Sequence, residues 1–187
     1  MQVQDKLVIV TERLRLRPFI EADWSSVHEY AVDPQISKFQ EWGPNTIKDT
    51  KSFVAKCIAA ERDPSSNVYF FSITLAGTDR HIGGCVITID PETRSEASIG
   101  YTINQNYWRK GYAIEAAAAL LGFAFTELGL RVVKSNCDSA NTASWRVMEK
   151  IGMRLVNTEF NSKYIKGSWR DWLEYSVSVD EWKSGTH

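Results

Sequence analysis

The chain is expected to be α/β: a single mixed, mostly antiparallel sheet of about seven strands with helices on both faces. Three observations predict this. Residues 95–103 alternate, with Ala97, Ile99, Tyr101 and Ile103 on one face and Glu96, Ser98 and Thr102 on the other, which is strand periodicity. Ile114, Ala117, Ala118, Leu121, Phe125 and Leu128 then recur at helical spacing, and Gly129 stands where a left-handed residue ends a helix. Finally, strand-like segments cluster both before and after this central helix. No linker, repeat or low-complexity tract interrupts the 187 residues, so residues 1–187 are read as one domain.

Taken in order, residues 7–17 read as extended and Pro18 ends them. Residues 21–32 form a first helix, stopped before Pro34. After the loop Gln40-Glu41-Trp42-Gly43-Pro44-Asn45, Thr46 caps a second helix with Asp49 three residues on, a capping-box spacing. That helix carries Phe53, Val54, Cys57 and Ile58 and ends near Asp63-Pro64. Residues 68–75 and 82–89 are strands rich in aromatic and β-branched residues, joined by a turn at Gly77-Thr78-Asp79-Arg80. Beyond the 95–128 unit come a strand over 131–137, a short helix over 141–151 stopped by Gly152, and strands over 154–160 and 169–179 joined by a loop.

Composition narrows the function classes. A hydrophobic content of 43% and a charged content of 24% describe an ordinary globular protein. The net charge of -1 speaks against a dedicated nucleic-acid binder. No apolar run is long enough to span a bilayer, and the N-terminus lacks the plan of a signal peptide, so a cytoplasmic protein is expected. Cys57, Cys85 and Cys137 are odd in number and set among apolar residues, which reads as reduced structural thiols. The histidines have no ligand spacing and no metal is expected. No phosphate-loop or dinucleotide glycine pattern is present either.

Between the central strand and helix lies Trp108-Arg109-Lys110-Gly111-Tyr112-Ala113. A strand, a basic Gly-containing loop and a helix start make an anion site, because backbone N–H groups at the helix N-terminus point outward and the dipole favours negative charge. Gly111 lets a phosphate approach where a Cβ would block it. Basic residues before a helix are also common on ordinary surfaces.

The full string resembles the GNAT superfamily of acetyl-CoA-dependent N-acetyltransferases, whose pyrophosphate loop reads Gln/Arg-x-x-Gly-x-Gly/Ala. Gly111 and Ala113 match, and Trp108 departs from the first position. The Tyr-Trp-x-Lys-Gly-Tyr-Ala variant and the opening string Thr11-Glu12-Arg13-Leu14-Arg15-Leu16-Arg17-Pro18-Phe19 are similar to the branch of Rim-type ribosomal-protein N-acetyltransferases. A second string, Asn141-Thr142-Ala143-Ser144 through Glu149-Lys150-Ile151-Gly152-Met153, is similar to the family's Asn-x-x-Ser/Ala…Glu-Lys-x-Gly-Phe segment. By residue physics alone it is a helix capped by Asn141 with Val147, Met148 and Ile151 facing the core.

The resemblance implies acetyl transfer from acetyl-CoA directly to a primary amine. Tyr101, Thr102 and Ile103, the loop residues Trp108, Arg109, Lys110, Gly111, Tyr112 and Ala113, and Asn141 with Ser144 are then expected to bind the cofactor. Many relatives carry a Tyr as proton donor to the departing thiolate. Met148 stands at that place, so the role falls to Ser144, on the same helix face. Glu96 is the candidate base. Branch members place that carboxylate two residues later, where this chain has Ser98, and Glu96 also reads as a solvated strand-end charge. Trp42 and Asn45 lie in the loop that forms one wall of the family's acceptor groove. The expected acceptor is a peptide or protein N-terminal α-amine. The alternatives are a small-molecule amine, a non-catalytic acyl-CoA-binding module, and an interaction domain using its aromatic residues. A monomer or homodimer is expected, with no nucleic-acid or membrane partner.

Overall fold

The computed structural model describes residues 7–185. Its eight strands are β1 (Ile9–Val10), β2 (Leu14–Arg17), β3 (Val68–Leu75), β4 (His81–Ile89), β5 (Glu96–Ile103), β6 (Val132–Asp138), β7 (Arg154–Ile165) and β8 (Ser168–Ser178). The helices are α1 (Trp24–Ala31), α2 (Ile47–Arg62), α3 (Tyr112–Thr126), α4 (Thr142–Lys150) and α5 (Val179–Ser184). The strands make one sheet in the order β1-β2-β3-β4-β5-β6-β8-β7. Every neighbouring pair is antiparallel except β5 and β6, which are parallel because the α3 crossover connects them.

The sheet is α/β and mixed as expected, with eight strands rather than about seven. The difference lies at the start of the chain. Residues 7–17 are not one extended run but a hairpin: Ile9 pairs with Leu16, and the Thr11 N–H donates to the Leu14 carbonyl at 2.9 Å. A second difference is at the other end. The loop expected between the last two strands is itself strand, closed by a two-residue turn at Lys166 (φ 47) and Gly167 (φ 84). Positive φ at both turn residues is the geometry that matches strand twist in a tight hairpin. Finally, α5 follows β8 directly, its first turn closed by a capping box between Ser178 and Glu181.

Alternation along β3 divides the core. Phe71 and Ile73 join the larger cluster under α3 and α4, with Leu14, Leu16, Ile87, Leu120, Leu121, Val133 and Met148. Phe70 faces the other way, against the smaller cluster of Phe19, Val27, Tyr30 and Val54 under α1 and α2. Within α3 the buried face is Ala116, Ala117, Leu120, Leu121, Ala124 and Phe125. Ala118, expected on that face, is exposed. A helix apolar on nearly every side gives a weak phase, and packing against β5 decides it.

Candidate active site

The parallel pair is short. β5 and β6 are in register only from Glu96↔Val132 to Ser98↔Lys134. Beyond that they diverge, and a Ser135 side-chain bond to the Ile99 carbonyl (2.9 Å) is the last tie between them. β5 stays paired to β4 as far as Ile103, and β6 to β8 as far as Asp138. The two facing edges from residue 100 on therefore open a wedge in the sheet. Backbone N–H groups along such an edge lack a ladder partner and need one from elsewhere.

A cavity of about 670 Å³ occupies this wedge and runs on to the α1–α2 side. Its wedge end is lined by Gly100, Tyr101, Thr102, Cys137, Asn141 and Ser144. Asn141 caps α4 by accepting from the Ser144 N–H. Ser144 sits in the first turn of α4, and the Tyr101 hydroxyl donates to its carbonyl at 3.0 Å while lying 3.4 Å from its Oγ. Burial pushes the Tyr101 phenol well above its ordinary value and holds it neutral. Burial likewise raises the Cys137 thiol to about 11. All three cysteines are free thiols.

The basic loop follows β5 at the mouth of the wedge. Gly111 is the N-cap of α3, with φ 82, a conformation that suits glycine. It offers no side chain to cap the helix, so the first-turn N–H groups stay available for an anion. Arg109 and Lys110 are exposed beside them, and Tyr112 and Ala113 begin the helix. Trp108, which departs from the usual motif, straps the loop to the strand: its indole N–H donates to the Ile103 carbonyl at 2.7 Å. The loop is fastened from below by Arg13. That guanidinium pairs with Glu115 at 2.6 Å, donates to the Lys110 carbonyl at 2.9 Å and lies 4.8 Å from the Tyr112 ring centre. A Cβ on Gly111 would come 3.3 Å from Arg13 Nη2. The cradle thus fits a diphosphate, and backbone makes it.

Glu96 is not in this company. It lies at the joined end of β5 and β6, ion-paired to Lys134 at 2.8 Å, and lines a separate shallow hollow with Pro91 and Ser98. The register that closes the sheet at residues 96–98 also removes Glu96 from the cavity. Met148 is fully buried in the core and takes no part in the cavity wall.

Trp42 and Asn45 do line the far end of the cavity, together with Phe19, Phe39, Phe53 and Phe70. Their loop is held from the other end of the chain. Lys166, at the tip of the β7–β8 hairpin, donates to the Ser37 carbonyl and, at 3.1 Å, to the Trp42 carbonyl. Lys163 pairs with Glu41 at 3.2 Å. The four phenylalanines carried no local signal in the sequence as a group, because they come from four separate segments that only the fold assembles. Among the described residues no group of His, Cys, Asp or Glu side chains could hold a metal ion. None of the described helices is long and apolar enough to cross a membrane.

A sheet wedged open beside a glycine-capped helix is the plan of the site, and comparison with known proteins gives the class of protein. The acetyltransferase (GNAT) domain family matches residues 13–154, and the chain belongs to that family. It is 36% identical over 176 residues to the uncharacterized N-acetyltransferase YnaD of Bacillus subtilis (strain 168), covering 93% of this chain and 98% of that protein. The crystal structure of a GNAT-family acetyltransferase from Bacillus anthracis superimposes with a TM-score of 0.83 at 33% identity, over 93% of this chain and 99% of that one. The fold is also that of RimL, a ribosomal L7/L12 alpha-N-protein acetyltransferase solved with coenzyme A (TM-score 0.82, 19% identity, 93% and 99% covered). The protein is therefore an N-acetyltransferase that uses acetyl-CoA.

Proposed function

We propose that the acceptor is the α-amine of a peptide or protein N-terminus, acetylated in the cytoplasm. One observation carries this reading: the expected base lies outside the cavity, and each carboxylate in the cavity wall already has a hydrogen-bonding or charged neighbour. Glu96 is outside it, bound to Lys134. Of the two carboxylates in its wall, Asp49 accepts from Thr46 (2.7 and 2.9 Å) through one oxygen; Asp138 accepts from the Ala140 N–H (2.8 Å) through Oδ1, and its buried Oδ2, which makes no hydrogen bond, is ion-paired to Arg170 at 3.6 Å. The acceptor must then arrive largely neutral. At pH 7 about a tenth of an α-amine (pKa ~8) is neutral, but well under a thousandth of a lysine side chain (pKa ~10.4). The likeness to RimL supports the same acceptor class.

In this reading the loop from Trp108 to Ala113 holds the diphosphate of acetyl-CoA on backbone N–H groups, and Asn141 holds the pantetheine arm. The bound thioester supplies the acetyl group. The free edge of β5 from Tyr101 to Ile103 directs N–H groups at the carbonyl oxygen that takes up negative charge. Ser144, with the neutral Tyr101 hydroxyl behind it, delivers a proton to the departing sulfur. Trp42 and Asn45 face the acceptor.

Two measurements test the reading. A peptide with a free N-terminus and an internal lysine should carry the acetyl group on its N-terminus in fragmentation spectra, and the rate should rise with pH through about 8 and then flatten. Acetylation of lysine alone, or activity only with a polyamine or aminoglycoside, would move the function to the small-molecule class. For the cradle, Gly111→Val forces a branched side chain into a left-handed conformation and fills the phosphate approach. CoA affinity should fall at least about tenfold with the circular dichroism spectrum unchanged. Undiminished CoA binding in the folded variant would detach this loop from the cofactor.

A further inference from the structure

We infer that the enzyme selects N-termini whose first residue is a large apolar one, aromatic above all, and rejects amines that carry a neighbouring carboxylate. This rests on the peptide reading above and adds its specificity.

The far end of the cavity is built from rings. Phe19 meets Phe53 edge-on (centroids 5.8 Å, 81°), and Phe53 meets Phe70 in the same way (6.1 Å, 86°). Phe39, Trp42 and Val27 line the same cavity. Phe39, Phe53 and Phe70 are only half-buried, and Trp42 is 37% exposed. Apolar ring surface is thus presented to the cavity rather than consumed by the protein's own packing. Edge-to-face arrangements of this kind accept one more ring without rearrangement. The roof is also fixed in place, since Lys166 and Lys163 tie residues 37–42 to the β7–β8 hairpin. A pre-formed apolar chamber that opens onto Ser144 is a pocket for a substituent held close to the reacting nitrogen.

Charge sets the second requirement. The cavity wall contains no Lys, Arg or His, and its two ionisable acids are Asp49 and Asp138. Hydrogen bonds from Thr46 hold the Asp49 carboxyl below the usual range, so it stays ionised at neutral pH. A free amino acid brings a carboxylate two bonds from its amine and finds no cation in the wall to receive it; Arg170, the cation beside the wall, is paired to Asp138 at 3.6 Å. An N-terminal residue inside a peptide brings an uncharged amide instead, which a wall of negative sign does not repel. Size, apolarity and charge together therefore select a peptide N-terminus with a bulky apolar first residue.

The test uses the full chain, acetyl-CoA and lysine-free hexapeptides identical except at residue one, which is Phe, Leu, Ala, Ser or Asp. Burying one large apolar side chain predicts kcat/KM for the Phe peptide about 10–100-fold above the Ser peptide, with Leu between and Asp lowest. Trp42→Ser should lower kcat/KM for the Phe peptide at least about fivefold more than for the Ser peptide, a share of the same burial term. Free phenylalanine and phenethylamine run alongside, and phenethylamine should be the better acceptor of the two. Equal rates across the peptides, or Ser above Phe, would overturn the selectivity while leaving N-terminal acetylation standing. Turnover of phenethylamine with no peptide accepted would overturn the peptide reading and leave the apolar chamber. Free phenylalanine accepted faster than phenethylamine would overturn the charge argument.

Discussion

Replacing Ser144 by alanine is expected to lower kcat by roughly 10–10³-fold while the affinity for acetyl-CoA barely changes. The hydroxyl stands at the wedge end of the cavity, in the first turn of α4. Its backbone contacts do not depend on it, since the Ser144 N–H goes to Asn141 and its carbonyl to Tyr101. The variant should therefore fold and bind. On the proposed mechanism it loses the proton for the departing sulfur, an interaction needed mainly in the transition state. Tyr101→Phe is the informative companion. If the phenol behind Ser144 relays the proton, the two single variants should cost about as much as the double, because groups acting as a unit are not additive. Equal loss of binding and rate in Ser144→Ala would instead make the serine a contact for the pantetheine arm.

The second large effect is on stability. Arg17 is 8% exposed and forms a two-pronged pair with Asp23 (2.8 and 2.9 Å), with Asp79 at 3.2 Å on its other side. Arg17→Met should cost about 3–5 kcal/mol, because it leaves the Asp23 carboxylate buried without its charge partner. For a chain of this length that is a fall of roughly 6–20 °C in Tm. Pairing it with Asp23→Leu should recover much of the loss; no recovery would mean the cost lay in packing.

The same corner makes the fold sensitive to acid. Burial pushes the Asp23 carboxyl up, but the bonds from Arg17 and the Ile20 N–H and the charge of Arg17 outweigh it and hold the carboxyl below its ordinary value. This stability is present above the unfolded value of about 3.9 and is lost as pH falls through the folded one. Burial lowers His81 to about 4 from 6.5, helped by Arg17 and opposed by Asp23. Between these two values the unfolded chain takes up the proton and the folded chain refuses it, so stability falls as pH drops. Tm should decline from pH 6.5 toward 4, before the carboxylates titrate. A flat profile over that window would show that His81 is not held neutral.

The sequence was legible where structure is local. The capping box of Thr46 with Asp49 lies where its spacing puts it, and β3 has the expected bounds. The family followed from two short strings, because the phosphate loop is backbone held in one conformation by a few residue types. The Lys166–Gly167 turn was missed because β7 and β8 expose polar residues on both faces and give no clean alternation. The Ser178–Glu181 capping box was available as a signal for α5, but the apolar run before it read as one strand. Glu96 and the aromatic chamber mark where reading from sequence stops. Register decides that Glu96 falls on the closed side of the wedge. Phe19, Phe39, Phe53 and Phe70 are brought together only by long-range packing.

The sheet order has a consequence for synthesis of the chain. β8 lies between β6 and β7, yet it is translated after both. Until Ser178 has left the ribosome, β6 has a neighbour for only three residues on one side and none on the other. β7 can dock only through β8, so residues 154–178 must enter together as a hairpin, a step of microseconds once the chain is free. That hairpin also brings Lys163 and Lys166 to the roof of the acceptor chamber. A nascent chain can thus assemble β1–β5 and α1–α3 early, the Gly111 loop included, while the ties from Lys163 and Lys166 to residues 41 and 42 arrive last.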